Sequence, residues 1–168
     1  AGNGFTANIG AFYRKSLYNN ILALGINISD IGTKISFDNY TTTKFLPANL
    51  RLGSSFTFPI DENKQISINA DINKLLVPTQ NGYTNYENTS TLKGALLSFS
   101  DAPGGFTEEM KEVSYSTGVE FSSNNLLFLR AGYFYESPIK GFRSHFALGG
   151  GYALGTLKID MAYVLSTA

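Results

Sequence analysis

His145 is the only histidine of the chain, and the sequence contains no cysteine. A hydrolase triad built on this histidine needs a nucleophile on one side and a carboxylate on the other. Simple registers through the flanking connections predict that His145 faces inward, with Phe134 and Ala162 as its nearest cross-strand neighbours. Since neither neighbour is acidic, the sequence predicts no catalytic residues and a histidine that is part of an inner wall.

Three other short motifs could bind a phosphate or a metal ion, but none has the spacing that this chemistry needs. The run Gly149-Gly150-Gly151 lacks the lysine and the serine or threonine that follow the glycines of a phosphate loop. Asp61-Glu62-Asn63 and Ser29-Asp30 are typical of turns, and neither has the ligand spacing of a calcium loop. Without cysteine, this chain can form neither a disulfide framework nor a thiolate metal site. We therefore expect no metal, no cofactor and no enzymatic activity.

The elements that would position these residues are eight segments in which apolar and polar residues alternate with a period of two. Short connections follow the first, third, fifth and seventh segments, whereas longer ones follow the second, fourth and sixth. Such an antiparallel meander is typical of an outer-membrane β-barrel, with short turns at one end and long loops at the other. The predicted strands are Gly4 to Arg14, Asn20 to Ser29, Asn49 to Ile60, Gln65 to Lys74, Val113 to Ser122, Leu126 to Glu136, Ser144 to Tyr152 and Thr156 to Leu165. The predicted short turns are Lys15 to Asn19, Asp61 to Lys64, Ser123 to Asn125 and Ala153 to Gly155.

Composition is compatible with this prediction and excludes other classes. The 168 residues include 13 Lys plus Arg and 13 Asp plus Glu, so the balance gives no electrostatic reason to bind nucleic acid. No apolar run approaches the roughly 20 residues that a spanning helix needs. A membrane crossing would therefore require a closed sheet, because lipid cannot satisfy exposed backbone groups. No signal peptide precedes Ala1, and for an exported protein we expect a mature or truncated chain.

The two faces of the predicted strands differ in charge. One face carries no charged residue, with aromatic residues towards both strand ends and aliphatic residues between them, as two membrane interfaces would select. A soluble β-sandwich would also keep charge off its buried face, but it does not require aromatic belts, so the barrel is the favoured prediction. The other face holds the expected lumen charges, Arg51, Asp71, Glu120, Arg130, Glu136 and Arg143. We expect Glu136 to face Arg143 across a short loop, and Glu120 to lie within reach of Arg130.

The connection from Leu75 to Glu112 is too long for an ordinary structureless loop and is the predicted seat of function. Leu92, Ala95, Leu96 and Phe99 recur with helical spacing. A turn over Ser100 to Gly105 follows, and Thr107 before two glutamates predicts the N-cap of a second short helix. One interpretation is that the apolar residues merely pack against the barrel mouth; the other is that they dock a partner. The predicted partner-binding residues are Leu96, Phe99, Asp101, Phe106 and Met110.

Several segments resemble the PorV family, also called LptO. They are Gly25-Ile26-Asn27-Ile28-Ser29-Asp30-Ile31-Gly32-Thr33-Lys34-Ile35-Ser36, Phe45-Leu46-Pro47-Ala48-Asn49-Leu50-Arg51-Leu52-Gly53, Asp71-Ile72-Asn73-Lys74-Leu75-Leu76-Val77-Pro78, Ser100-Asp101-Ala102-Pro103-Gly104-Gly105-Phe106 and Leu129-Arg130-Ala131-Gly132-Tyr133-Phe134-Tyr135-Glu136. The family consists of Bacteroidetes outer-membrane proteins of the type IX secretion system, with a barrel similar to the FadL fatty-acid channels. The resemblance implies a non-enzymatic shuttle that binds the large translocon barrel SprA, collects cargo by its C-terminal signal domain and delivers it to the cell-surface attachment (sortase) complex.

The chain departs from that family in length. Members are about twice as long and have fourteen strands, so the resemblance implies that residues 1–168 are one partial barrel domain, with outside loops at about 30–48 and 75–112. Barrels usually keep both termini in the periplasm, whereas eight strands would place Ala1 and Ala168 together at the long-loop end. We expect five further strands before this segment and one after it. Two alternative functions stay open, a FadL-like channel for hydrophobic small molecules and the lipid A deacylase activity linked to the family's other name.

Overall fold

The fold was analysed in a computed structural model, which describes residues 4–36, 43–79, 89–138 and 141–167. The described chain is all-β apart from two short α-helices and a 3-10 turn at Met110–Glu112. The strands are β1 Thr6–Leu17, β2 Asn20–Gly32, β3 Ile35–Ser36, β4 Thr43–Lys44, β5 Asn49–Pro59, β6 Lys64–Leu75, β7 Val113–Ser123, β8 Leu127–Tyr135, β9 Ser144–Leu154 and β10 Leu157–Ser166. The helices are α1 Thr91–Leu97 and α2 Phe106–Glu109.

Eight of these strands form one antiparallel sheet in the order β1-β2-β5-β6-β7-β8-β9-β10, while β3 and β4 pair with each other as a separate hairpin. Every strand of the large sheet therefore lies next to the strand that follows it, as the alternating pattern predicted. The all-β prediction is confirmed, and the single antiparallel sheet, which is not closed within the described residues, is consistent with part of a barrel. Among the described residues, no helix has the length and apolar character to cross a membrane.

The turn between β9 and β10 lies further along the chain than predicted. Leu154 pairs with Leu157 around a two-residue turn, in which Gly155 has a φ of 60°. A positive φ at the first central position is what a tight hairpin of right-twisted strands requires, and glycine adopts it without steric cost. His145 consequently lies opposite Ser166, and the prediction of Ala162 as its neighbour is wrong, whereas the predicted neighbour Phe134 is confirmed.

The first two strands are also longer than predicted. β1 continues to Leu17, so the turn before β2 contains only Tyr18 and Asn19. β2 continues past the predicted end at Ser29 as far as Gly32, and Asp30 lies inside the strand instead of in a turn. Asp30 has a φ of 58°, and its N–H donates to the side-chain oxygen of Asn8 at 2.8 Å. The amide oxygen of Asn8 thus gives this irregular residue a hydrogen bond, which the local sequence pattern does not reveal.

The second helix begins two residues before the predicted position. Its N-cap is Gly105, with φ 65° and ψ −154°, and Thr107 lies within the helix, so the predicted threonine cap is wrong. Only glycine adopts such a backbone conformation readily, which explains why it precedes the helix. The predicted acidic first turn is present as Glu108 and Glu109. The β3–β4 hairpin was not predicted, and the prediction for Ala1 and Ala168 falls outside the described residues.

The chain divides into two compact units. One contains residues up to Ala11 together with 26–51 and 73–113, and the other contains 12–25, 52–72 and the residues from Ser114 onward. In the first unit Ala48, Leu76 and Ala102 are buried, and the Leu76 N–H donates to the Ala48 carbonyl at 2.7 Å. In the second unit apolar side chains remain exposed along the strands, among them Leu148, Met161 and Tyr163. The small apolar core of the described chain therefore lies among the long connections of the first unit.

Candidate functional site

Helix α1 forms where its sequence predicts it. Ser90 is the N-cap and its hydroxyl oxygen accepts from the Lys93 N–H at 3.4 Å, which satisfies one of the free donors of the first turn. At the other end the Ser98 hydroxyl donates to the Ala95 carbonyl at 2.7 Å. The helix has seven residues, a length that is marginal without tertiary contacts. Its stability must therefore come from what it packs against.

The packed face of α1 is made of its small residues. Gly94 and Ser98, one turn apart, are buried, and a Cβ atom on Gly94 would lie 2.8 Å from the Phe45 ring and 3.3 Å from Pro78. By contrast Leu92 is 66% exposed and Leu96 is 74% exposed. The helical spacing correctly predicts a helix, but its larger apolar residues point away from the packed side. Burying the leucines is not what holds this helix in place.

A buried cluster of charged groups lies beneath the same loop. The Lys74 ammonium, at the end of β6, donates to Glu109 at 3.0 Å and to Glu112 at 2.9 Å. The second oxygen of Glu109 accepts from the Ala102 N–H at 2.8 Å, and the second oxygen of Glu112 accepts from the Thr79 hydroxyl at 3.2 Å. Lys74 and Glu109 are each only 7% exposed. We call Lys74, Glu109 and Glu112 the loop ion cluster; a buried charge persists only when it is paired and hydrogen-bonded in this way.

Asp101 adds a fourth charged group to the loop. One of its carboxylate oxygens accepts from the Thr79 N–H at 2.6 Å, so this residue links the start of the connection to the turn that follows α1. Burial raises the pKa of the Asp101 carboxyl, the Thr79 N–H opposes that effect, and the negative charges of Glu109 and Glu112 add to it. This hydrogen bond shows that Asp101 helps to order the loop, and its contact with a partner stays a prediction.

Four apolar side chains project from this ordered loop. Phe106 is 79% exposed, and Leu96, Phe99 and Met110 are also exposed. Each of them was predicted as an anchor for a partner. We call these four residues the loop patch. Exposed apolar residues are ordinary when isolated, but a group of them on one folded segment is a feature of interaction surfaces.

The charged face of the sheet holds a second ion cluster. Glu120 lies directly opposite Arg130, as expected for a tight turn, and the two side chains form an ion pair. Arg130 also donates to Asp160 of β10 at 2.6 Å, a partner that was not predicted. The Arg130 side chain can cross β9 because the residues of β9 in its way are glycines. Gly149 lies opposite Arg130, and Gly151 lies opposite Asp160. We call Arg130, Glu120 and Asp160 the sheet ion cluster.

The other predicted charges behave differently from one another. Arg143 donates to Glu136 at 2.7 Å and 3.1 Å, which is the pair expected across the short loop. Arg51 and Asp71 form no ion pair within the described residues. His145 stacks on Phe134 with ring centroids 5.1 Å apart. In the part of the chain that the structure describes, no three His, Cys, Asp or Glu side chains are grouped to hold a metal ion.

The loop ion cluster is the feature that sequence reasoning missed. Lys74 ends a predicted strand, and the sequence pattern gives Glu109 a place only in the acidic first turn of a helix. The spacing of three between the glutamates was a usable signal, because residues i and i+3 of a helical turn share one face. Nothing local identified the lysine that this face would meet, since 35 residues separate Lys74 from Glu109.

Comparison with known proteins adds the last element. No curated protein matches the chain. Residues 1–82 match the family model of the type IX secretion system protein PorV, in agreement with the resemblance seen in the sequence. The match includes β1 to β6 and Lys74, and it ends before α1. This match, over just under half of the chain, supports assignment of the chain to the PorV family and, through that family, involvement in the type IX secretion system.

Proposed function

We propose that this protein is a non-enzymatic outer-membrane component of the type IX secretion system that binds the SprA translocon and carries exported cargo to the cell-surface attachment complex. The observation that carries the proposal is the loop patch. Its four apolar side chains are exposed on a loop that is internally ordered by hydrogen bonds and ion pairs. An ordered apolar surface loses little conformational entropy when a partner binds.

Two aromatic side chains allow the loop patch to contribute substantially to the free energy of partner binding. Interfaces concentrate their affinity in a few residues, and truncation of such a residue costs about 2 kcal/mol or more. Phe99 and Phe106 are the two aromatic members, and Leu96 and Met110 extend the apolar area. Methionine suits a surface that accepts more than one partner, because its side chain is flexible and polarisable. A protein that passes cargo from one complex to another needs such a surface.

The uncharged face of the strands supports the outer-membrane location. Tyr133 and Phe146 lie opposite each other on neighbouring strands, with ring centroids 4.6 Å apart. On β10 the side chains Ile159, Met161 and Tyr163 alternate with the opposite face and are all exposed. An exposed apolar strand face is unfavourable in water and is satisfied by lipid. The charged face, which carries the sheet ion cluster, would line the lumen.

The charged groups support a binding role over a catalytic one. The carboxylates of Glu120 and Asp160 both engage Arg130, and those of Glu109 and Glu112 both engage Lys74. His145 stacks against Phe134 instead of lying beside one of these acids. General acid–base catalysis requires a group within hydrogen-bond reach of a reacting proton. The ion pairs are better explained as braces for the wall and the loop.

A FadL-like channel is the second candidate, and one observation favours it. The charged face contains an open depression of about 390 Å³ beside the sheet ion cluster, which contributes to its lining together with small residues that include Gly118, Gly132, Ala147, Gly149 and Ala162. A channel for apolar molecules would use this space. A Gly132→Leu substitution would fill it, and should then lower uptake of a fatty acid while leaving secretion unchanged. Unchanged uptake would exclude the channel.

The test of the shuttle is the double substitution Phe99→Ala, Phe106→Ala in the full-length protein. We expect a normal amount of protein in the outer membrane, reduced co-purification with SprA, and cargo retained by the cell. The matched control is Phe56→Ala, Phe146→Ala, which removes two exposed rings from the strands. If the loop variant co-purifies with SprA and releases cargo as the wild type does, the proposal is wrong.

A further inference from the structure

We infer that Lys74 is the positioning residue of the loop patch: its ammonium fixes the segment that carries Phe99, Phe106 and Met110 to the end of β6. The inference rests on the proposed docking function of the patch and names the group that gives the patch its shape. It does not make Lys74 a contact residue. At 7% exposure, the side chain has almost no surface to offer to a partner.

Hydrogen bonds centred on the Lys74 ammonium hold four segments of the chain together. Lys74 donates directly to Glu109 and Glu112, which follow each other by three residues at the end of α2 and in the 3-10 turn. Glu109 also accepts a hydrogen bond from the Ala102 N–H, and Glu112 accepts one from the Thr79 hydroxyl. The strand end, the start of the loop, the turn before α2 and the end of α2 therefore meet around a single positive charge.

The patch residues lie directly beside this arrangement. The Lys74 ammonium is 5.8 Å from the centroid of the Phe99 ring, within the range of a cation–π contact. Phe106 and Met110 belong to the same short helical segment as the two glutamates, and they are exposed where Glu109 is buried. The carboxylates thus decide which side of the segment faces inward. That choice leaves the apolar side chains facing outward.

Removing the ammonium would leave two carboxylates in a poorly solvated site, which is far more costly than removing a whole ion cluster. α1 and α2 have seven and four residues, and neither is long enough to persist by itself. We expect the loop to detach from the end of β6 when Lys74 is replaced by an apolar residue of similar length. The large sheet has its own backbone pairing and would remain.

The experiment compares Lys74→Met, Lys74→Arg and Arg130→Met in the full-length protein, with the Phe99→Ala, Phe106→Ala variant alongside. Outer membranes are treated briefly with trypsin, whose targets Lys93 and Lys111 are exposed in the loop, and co-purification with SprA is measured per molecule of barrel. Lys74→Met should be cut at these lysines about tenfold faster or more and should lose association to a similar extent. Lys74→Arg should keep the cleavage rate and the association close to those of the wild type, and Arg130→Met should change neither quantity.

A further variant is needed because Lys74→Met could reduce the amount of barrel. Glu109→Gln weakens the same cluster from the loop side and should speed cleavage to a smaller extent.

The two readouts separate the inference from the proposed function. The Phe99→Ala, Phe106→Ala variant should lose association while its cleavage rate stays normal. Normal cleavage of Lys74→Met and Glu109→Gln would overturn the positioning role. Faster cleavage of Lys74→Met with full association would overturn the link between loop order and docking. If the phenylalanine variant also associates fully, the docking function of the patch has failed while Lys74 keeps its role in ordering the loop.

Discussion

The loop ion cluster and the sheet ion cluster have the same balance of charges but different surroundings. Each contains one cation and two carboxylates. The side chain of Lys74 is 8% exposed, with Glu109 at 8% and Glu112 at 12%, whereas Arg130 is 34% exposed, with Glu120 at 30% and Asp160 at 44%. The first cluster is held by backbone and hydroxyl donors as well, namely those of Ala102 and Thr79. The second lies on an open strand face.

This difference decides what each cluster can contribute. Water screens a partly exposed ion pair and competes for its hydrogen bonds, so such a pair adds little stability. A buried pair is not strongly stabilising either, but losing one member leaves an uncompensated charge in a medium that cannot solvate it. The sheet cluster is therefore replaceable, whereas the loop depends above all on Lys74, whose loss leaves two buried carboxylates without their cation.

The largest expected effect comes from removing one carboxylate of each cluster. Glu109→Ala should destabilise the folded loop by about 2 to 4 kcal/mol, because the Ala102 N–H loses its acceptor and Lys74 keeps only Glu112 as a partner. Glu120→Ala should cost less than about 1 kcal/mol. Hydrogen exchange at the amides of residues 91–112 measures the first and exchange at the amides of β7 and β8 the second. Equal effects in the two variants would show that burial is not the difference between the clusters.

A medium effect is expected from adding one methyl group to a glycine in each region. Gly94→Ala places a Cβ atom 2.8 Å from the Phe45 ring, and such overpacking costs about 1 to 3 kcal/mol, reduced by up to about 1 kcal/mol through better helix propensity. Gly150→Ala meets its nearest atoms at 3.8 Å, which is ordinary contact, and should change stability by about 0.5 kcal/mol or less. Thermal unfolding of the two purified variants tests the pair. A neutral Gly94→Ala would show that the ring can move aside.

The smallest expected effect is a pH dependence of opposite sign in the loop and in a strand turn. Burial raises the pKa of Asp101, so the charged carboxylate destabilises the loop at neutral pH. Stability increases as the pH falls through the raised pKa. The gain is complete below the ordinary aspartate pKa of about 3.9. The Lys64 ammonium lowers the pKa of Asp61, with the Asn63 N–H as a second cause, so that turn is stabilised above about pH 3.9 and loses this as the pH falls through the lowered value.

Exchange rates of the loop and turn amides between about pH 5 and pH 3, corrected for intrinsic exchange, check these signs. Asp101→Asn should abolish the gain in the loop, and Asp61→Asn should abolish the loss in the turn. The same sign in both regions would contradict the assignment of burial as the main cause at Asp101.

The predicted strands agree well with the observed strands because alternation is a local property. A residue in a strand points to one face or the other, and the chain shows this with a period of two wherever the faces differ. The tight turns were less accurate, since the turn before β10 lies further along the chain than predicted and this shifts the register of the whole β9–β10 pair. That shift moved the partner of His145 from Ala162 to Ser166. Register depends on turn geometry, which Gly155 decides.

At the candidate site, the apolar spacing of α1 predicted the helix but not its packed face. Spacing over Leu92, Ala95, Leu96 and Phe99 predicted a helix, which is present, but it did not predict which face packs. The packed face is chosen by close approach to Phe45 and Pro78, where only the hydrogen atom of Gly94 fits. Apolar periodicity predicts the packed face of a helix when large apolar side chains form it. It does not indicate that face when small residues make the contact.

Sequence pattern alone was enough to predict the eight strands, the uncharged face, the pairs Glu120–Arg130 and Glu136–Arg143, and the loop that carries the exposed apolar residues. These depend on periodicity and on residues brought together by short connections. The pairing of Lys74 with Glu109 and Glu112, and of Arg130 with Asp160, could be seen only once the chain was folded. In each case the partners are 30 residues or more apart, and whether an ion pair is buried or screened depends on everything packed around it.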